Sequence, residues 1–410
     1  MEYPIGNAIV GQSGGPTSAI NATLVGVING VSKSNVIDKL FGMQYGIEGL
    51  LQGKIIDLSY LFNDHKSLSI LESTPASALG SCRKRLPNVS EDITIYKKIF
   101  EELKKRNIRY FFYIGGNDSM DTVAKLNEYS KICDYEIKIV GIPKTIDNDL
   151  VITDHTPGFG SSAKFISTAI QEIACDTSVY LCNAVTIVEI MGRDAGWLTA
   201  SAGLPKYFGN DGADLIYLPE VPFCNDEFIM SVKEILKAKP NIVVAVSEGI
   251  RYENGRYVGE SSHSKATDAF GHKYLSGSAK VLEHLVSEKI GCKTRSIELN
   301  LLQRCASHIS SKVDILESKR IGEYSVECAK KGISGIMVLF TRKIGEYNID
   351  LSYEKVEKIA NQVKLVPRSY INEKCNNVAN ECMEYIAPLI QGEINTIFKN
   401  GLPVHFKIRG

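Results

Sequence analysis

No stretch of this 410-residue chain approaches the run of about 18 apolar residues that a membrane-spanning helix needs. Met1 to Val10 has neither the basic region nor the long apolar core of a secretory signal, so a cytoplasmic protein is expected. The ten cysteines include no CxxC pair, which excludes the common zinc spacings and the density of a small disulfide scaffold and predicts reduced thiols. The seven histidines form no HExxH or other metal-binding spacing. There is no excess of charge of one sign: 47 Lys and Arg face 47 Asp and Glu. A global electrostatic grip on nucleic acid or an anionic membrane is therefore not expected, although a local basic pocket is compatible with neutrality. Internal repeats, heptads and low-complexity segments are also missing.

What is present is an ordinary globular composition, 44% apolar and 23% charged, at a length that suits two or three domains. Short apolar, β-rich runs at Asn7–Gly11, Tyr110–Gly115, Ile137–Ile142, Ala184–Ile190, Ile242–Ser247 and Ile336–Thr341 alternate with amphipathic segments. Helices are predicted at Thr17–Val31, Ile93–Arg106, Ser119–Glu128, Ser161–Ile173, Phe228–Lys237, Ser276–Lys289 and Ile321–Lys331. Continuous apolar strands between helical crossovers predict parallel sheets covered by helices on both faces. One such sheet rarely absorbs this length, so two α/β, Rossmann-like lobes are expected. Arg251–Gly277 is polar and rich in Gly and Ser, and reads as a long loop.

Ligands of open α/β sheets bind beyond the carboxyl ends of the strands. There the first strand gives way to Gly11-Gln12-Ser13-Gly14-Gly15-Pro16-Thr17. Glycines permit close backbone approach, and a following helix would offer free N–H groups to a phosphate. The loop is neither a Walker A motif nor GxGxxG. It does match GxSxG, with Ser13 as a nucleophile, but a hydrolase elbow needs strands before it and none precede this one. A purely structural strand-to-helix turn is the plain alternative. Gly115-Gly116-Asn117-Asp118-Ser119 again suits an anion, or Asp118 simply caps a helix. Pro143-Lys144-Thr145-Ile146-Asp147-Asn148-Asp149 gathers one cation and two carboxylates. If extended, it points Asp147 and Asp149 the same way, one as a base and the other orienting it or meeting a metal. Met191-Gly192-Arg193, Ser247-Glu248-Gly249, Arg295, Gln303-Arg304 and Arg83 in Leu79-Gly80-Ser81-Cys82-Arg83 add further polar groups after strands or in Gly/Ser loops. Each alone fits a surface or capping role. Together they suit phosphoryl transfer, with cations and N–H groups on phosphates and an aspartate accepting a hydroxyl proton.

In order, GGPTSAIN, LGSCR, IGGNDS, PKTIDND, MGR, SEG and QR resemble the phosphofructokinase family from about Gly11 to Arg304. The resemblance implies two lobes with the active site in the cleft between them. It places residues 1–158 with 303–350 in a larger, donor-binding lobe and residues 159–302 with 351–410 in a smaller, sugar-phosphate lobe. It implies Asp147 as the base that deprotonates the sugar 1-hydroxyl, and Arg83 as the group that stabilises the transferring phosphoryl. Gly14 and Gly15 lie beneath the donor, and Asn117 and Asp149 meet Mg2+. Thr145, Asp149, Met191, Gly192, Arg193, Glu248, Arg295 and Arg304 hold fructose 6-phosphate with Asp147.

ATP-dependent members typically read GGDGS and PGTIDND; the Asp118/Lys144 pair found here resembles the pyrophosphate-dependent branch. Charge and bulk at Asp118 would oppose an ATP α-phosphate, while Lys144 would offset charge on a bare pyrophosphate. An ATP-dependent enzyme and a non-catalytic regulatory subunit are the alternatives. Ala184, Leu301 and Cys305-Ala306 depart from the commoner ATP-dependent pattern at sugar-phosphate positions, Ala184 where a neighbouring subunit's arginine usually reaches in. Val25 and Asn29 replace effector-binding arginines. A homodimer or homotetramer is implied.

Overall fold

The computed structural model describes residues 4–260 and 277–408, so most of the polar segment expected as a long loop lies outside the described residues. In chain order the main strands are β1 (Gly6–Gln12), β2 (Ile37–Met43), β3 (Ile55–Asp57), β4 (Ile108–Gly115), β5 (Lys138–Pro143), β6 (Ala184–Ile190), β7 (Leu215–Tyr217), β8 (Asn241–Ser247), β9 (Lys293–Glu298), β10 (Ile336–Arg342) and β11 (Ile349–Lys355). They form a seven-stranded sheet ordered β11-β10-β5-β4-β1-β2-β3 and a four-stranded sheet ordered β7-β8-β6-β9. The smaller sheet is wholly parallel. The larger is parallel through its centre, with antiparallel strands β3 and β11 at its edges.

The apolar runs predicted as strands occupy the sheet interiors, where both faces are covered. Val10, Tyr110, Phe112 and Val140 belong to one buried cluster, while Ile9, Phe111, Tyr113 and Ile139 belong to another across the sheet. The smaller sheet divides in the same way, Val185, Ile187 and Val244 against Val188, Ile190 and Val243. Successive side chains of a strand alternate faces, so a strand buried on both must be apolar throughout. The strands absent from the sequence reading lack that pattern. β9, reading Lys-Thr-Arg-Ser-Ile-Glu, is an edge strand largely open to solvent, and β7 has only three residues.

Helices Ile20–Ser32 and Lys312–Lys330 cross on the larger lobe. A Cβ on Gly26 would stand 2.1 Å from the carbonyl oxygen of Lys319, and one on Gly322 2.3 Å from that of Thr23. Only glycine allows this approach. The second helix starts nine residues before the predicted Ile321, because its first half buries polar Asp314, Glu317 and Ser318 rather than an apolar stripe. β11 continues in the larger sheet to Lys355, beyond the expected lobe boundary at residue 350. Val366, Ile371, Met383 and Leu389 then pack in the smaller lobe, and Phe406 and Ile408 return to the larger one.

Candidate active site

The cleft is lined by the carboxyl ends of β1, β4 and β5 on one side and of β6 and β8 on the other. Gly14 adopts φ +77°, the left-handed region that favours glycine, and its N–H donates to the carbonyl of Cys82. The Ser81 hydroxyl donates to the Gly14 carbonyl at 2.6 Å, so the glycine turn and the Arg83 loop are knitted together. Ser13 is buried, and its hydroxyl donates to the Cys82 carbonyl at 3.3 Å. That geometry leaves no exposed nucleophile at an elbow. The helix expected from Thr17 begins instead at Ile20, and Thr17 Oγ1 accepts from the N–H groups of Ala19 and Ile20. Its hydroxyl therefore satisfies those two N–H groups.

Lys144 is 3% exposed, and its Nζ donates to the Gly15 carbonyl at 2.6 Å while its N–H donates to the Gly115 carbonyl. Burial lowers its pKa to about 8, with Asp147 and Asp149 opposing the fall and Arg83 and Arg304 adding to it. All four side chains thus lie close enough to Lys144 to act on its charge. A Cβ on Gly15 would lie 3.3 Å from Nη1 of Arg304, which brings this cation to the same turn.

Asp147 and Asp149 do not lie in an extended segment. Asn148 between them takes φ +53°, and that left-handed residue makes a turn that keeps both carboxylates in the cluster. The Asp147 N–H donates to Thr145 Oγ1 at 3.1 Å. Burial raises the pKa of Asp147 above the ordinary carboxylate range; Asp149 raises it further, while Lys144 and Arg193 pull it down. Asp149 is raised too, by burial, and its Oδ1 is a buried oxygen with no hydrogen-bond partner.

Across the cleft, Gly192 takes φ +127°, and its N–H donates to Glu248 Oε1 at 3.2 Å. The Met191 N–H donates to Gln303 Oε1 at 3.2 Å, which ties the MGR turn to the QR turn. A Cβ on Gly249 would stand 1.9 Å from the Arg193 carbonyl oxygen. Burial raises Glu248 to about 7, helped by Asp147 and Glu189.

Three of the expected residues have surroundings that the sequence did not indicate. Arg295 lies within the exposed edge strand β9 beside Thr186 and, with Glu172 and Asp176, lines an open cavity of about 300 Å³. Thr186 lies four steps before the cleft end of β6, about 13 Å of strand, so Arg295 does not reach its own chain's cluster. Asn117, placed among the metal ligands, gives its side-chain amide to the Gln362 carbonyl and accepts the Asn361 N–H. Both ends of that amide are committed to backbone. Asp118 does not cap its helix, since Gly116 holds that position; it pairs with Arg85 at 3.5 Å. Both side chains of that pair are solvent-exposed, so it offsets little of the Asp118 charge. Sequence reasoning missed Arg85 and Lys364. Lys364 bonds Asn148 and backbone around the same turn but stands in no motif that could have flagged it.

Two α/β lobes meeting at a cluster of arginines, a buried lysine, paired aspartates and glycine turns define an enzyme that handles phosphorylated substrates. The family profile described as Phosphofructokinase matches residues 7–329, and the chain belongs to that family. It is 37% identical over 401 residues to a pyrophosphate--fructose 6-phosphate 1-phosphotransferase of Halomonas elongata, covering 97% of this chain and 94% of the relative. A protein of the same description from Xanthomonas campestris is 36% identical, with 98% and 96% covered. The crystal structure of a pyrophosphate-dependent phosphofructokinase from Nitrosospira multiformis superposes with a TM-score of 0.86 at 34% identity, covering 97% and 95% of the two chains.

Proposed function

We propose that this chain transfers a phosphoryl group from pyrophosphate to the 1-hydroxyl of fructose 6-phosphate. The products are phosphate and fructose 1,6-bisphosphate, and the glycolytic step runs in both directions. The observation that carries the reading is buried Lys144, pinned to the glycine turn and facing Asp147 and Asp149. It supplies a cation beneath the donor where ATP-dependent sequences have glycine. The near-full-length relatives that act on pyrophosphate support it.

The sugar phosphate lies across Met191, Gly192, Arg193, Glu248 and Arg304, with Thr145 and the 147–149 turn at its reacting end. Asp147 takes the 1-hydroxyl proton. Its raised pKa makes it a stronger proton acceptor than an exposed carboxylate. The alkoxide oxygen attacks in line, phosphate departs, and Arg83, Lys144 and Arg304 stabilise the charge spreading over the transferring oxygens. The residues present fit a divalent cation, which we take to be magnesium: Asp149 Oδ1 is an unpartnered buried oxygen. Among the described residues no group of three or more His, Cys, Asp or Glu forms a protein cage, and hard cations of this kind usually take one or two carboxylates and complete their shell with phosphates and water. When bound, the ion offsets negative charge on the pyrophosphate.

Ten unpaired cysteines support a cytoplasmic setting. Among the described residues no helix is long and apolar enough to cross a membrane. The outward position of Arg295 supports a homodimer or homotetramer in which this arginine serves a neighbouring chain's cleft. A regulatory subunit should have lost part of the machinery, whereas Asp147, Arg83 and Gly15 are all present. The test is product formation from fructose 6-phosphate and magnesium with pyrophosphate or with ATP. Fructose 1,6-bisphosphate from pyrophosphate alone is expected; turnover with ATP alone would overturn the donor assignment.

A further inference from the structure

The segment after β11 lies beyond residue 329, where the family match ends, yet it touches both sides of the cleft. The Asn361 N–H and the Gln362 carbonyl hold the Asn117 side chain at the donor turn. Between exposed Val363 and Leu365, Lys364 turns inward. Its Nζ donates to Asn148 Oδ1 at 3.1 Å, to the Asp154 carbonyl at 2.8 Å and to the Thr153 carbonyl at 3.3 Å, using all three N–H bonds. Its backbone N–H donates to the Asp149 carbonyl at 2.8 Å. Its carbonyl accepts from Trp197 Nε1 at 2.9 Å, and its ammonium stands 5.3 Å from the Trp197 ring. Two residues on, the Val366 N–H shares Glu220 Oε1 with the N–H of Gly196, close to Arg193 in the smaller lobe.

We infer that Lys364 is a positioning residue for the phosphoryl-transfer site: it holds Asn148 in its left-handed conformation and thereby sets the aim of Asp147 and Asp149. A non-glycine residue keeps positive φ only where its surroundings hold it there. Here the holders are Lys364 and the Tyr385 hydroxyl, which accepts from Asn148 Nδ2 at 2.9 Å. Fructose 6-phosphate is gripped from other strands, so loosening this turn misdirects the chemistry without releasing the sugar. The inference rests on the proposed reaction for its assay, not for its geometry.

The test uses the full chain and the donor the wild type turns over. Lys364→Met should lower kcat on the order of 10²-fold, the usual effect of a displacement near 1 Å, with KM for fructose 6-phosphate within about twofold. Lys364→Arg should recover about a tenth or more of wild-type kcat. Asn148→Gly tolerates the same φ but removes the side-chain acceptor. Joined to Lys364→Met, it should add little further loss, because residues acting as a unit are non-additive. Trp197 is the chain's one tryptophan and reports by its emission whether the segment is seated. A Lys364→Met chain that still folds, with shifted emission and a fallen kcat, supports the inference; its melting temperature falls with the three lost hydrogen bonds. Wild-type kcat in that variant, or multiplicative losses in the double change, would overturn it. If Lys364→Met does not fold, Asn148→Gly decides: a fall of about tenfold or more in kcat supports it and an unchanged kcat overturns it. Wild-type turnover with ATP alone would defeat the donor assignment and still leave these ratios measurable.

Discussion

The Nζ of Lys144 and the carbonyl of Gly15 stand 2.6 Å apart, so the residue we propose to favour pyrophosphate is also a strut between β5 and the glycine turn after β1. Replacing Lys144 with Met should therefore do two things. The chain loses about 1–3 kcal/mol of stability, since a half-buried carbonyl loses its charged donor. KM for pyrophosphate rises, while binding of fructose 6-phosphate measured by calorimetry stays near the wild-type value. A lysine that served charge alone would leave the melting temperature unmoved.

Donor choice should respond to the two positions together. Asp118→Gly with Lys144→Gly opens the space that Asp118 and its partner Arg85 occupy and removes the buried cation, so ATP binding and turnover should both become measurable. If ATP still fails to bind a folded double variant, these residues do not set the preference.

Asp147→Ala should cost on the order of 10²–10⁴-fold in kcat, the range spanned by a positioned base, with little change in sugar-phosphate affinity. Near-normal turnover in that variant would remove Asp147 from the role of base.

Gly249 tests the sugar side. Any side chain there collides with the Arg193 carbonyl, and the only relief is movement of the MGR turn. Gly249→Ala is expected to raise KM for fructose 6-phosphate at least about tenfold, because Arg193 and the Gly192 N–H both ride on that turn. An alanine variant with wild-type KM would mean that the turn does not grip the sugar phosphate.

Stability should also vary with pH through His155. Its imidazole stacks on Phe340 and bonds Asp154 through Nδ1 and Glu317 through Nε2, each at 2.8 Å; Arg342 bonds the same Asp154 and Tyr347 bonds Glu317. Burial pushes its pKa down, but the hydrogen bonds and charges of the two carboxylates more than offset this and leave it raised. A raised cation contributes stability that is fully present below the ordinary histidine value of about 6.5 and is lost as pH climbs through the native value. Asp154 has the opposite sign. Burial would raise it, yet His155 and Arg342 hold it low, so its contribution is present above about 3.9 and fades as pH falls further. The melting-temperature gap between wild type and His155→Gln should therefore shrink from pH 6 to pH 9; a constant gap would mean that the imidazole is neutral throughout.

The interior of both sheets was legible in the sequence, because double burial forces unbroken apolar runs such as Tyr110–Gly115 and Ala184–Ile190. The edge strands were not: β9 packs too little to need a pattern, and β2 is half-exposed. The cluster itself was legible as motifs, yet three features needed coordinates. Asp147 and Asp149 meet through a left-handed Asn148 rather than along an extended strand. Asn117 is drawn away by backbone 245 residues distant in sequence, and Lys364 arrives from a segment without any motif. Long-range hydrogen bonds to backbone leave no residue-type signature, so no spacing rule could have found them.

The route of the chain between its two sheets has a thermodynamic consequence. It leaves the larger sheet after β5, returns for β10 and β11, leaves again to pack Val366 and Met383 in the smaller lobe, and comes back to lay Phe406 against the first. Neither lobe is encoded by one uninterrupted stretch, so neither can be excised as a gene fragment and keep its sheet whole. The crossings also act in parallel, so loss of one lobe strips the other of strands or covering side chains. Heat capacity scanned against temperature should accordingly show one absorption peak rather than a separate transition for each lobe.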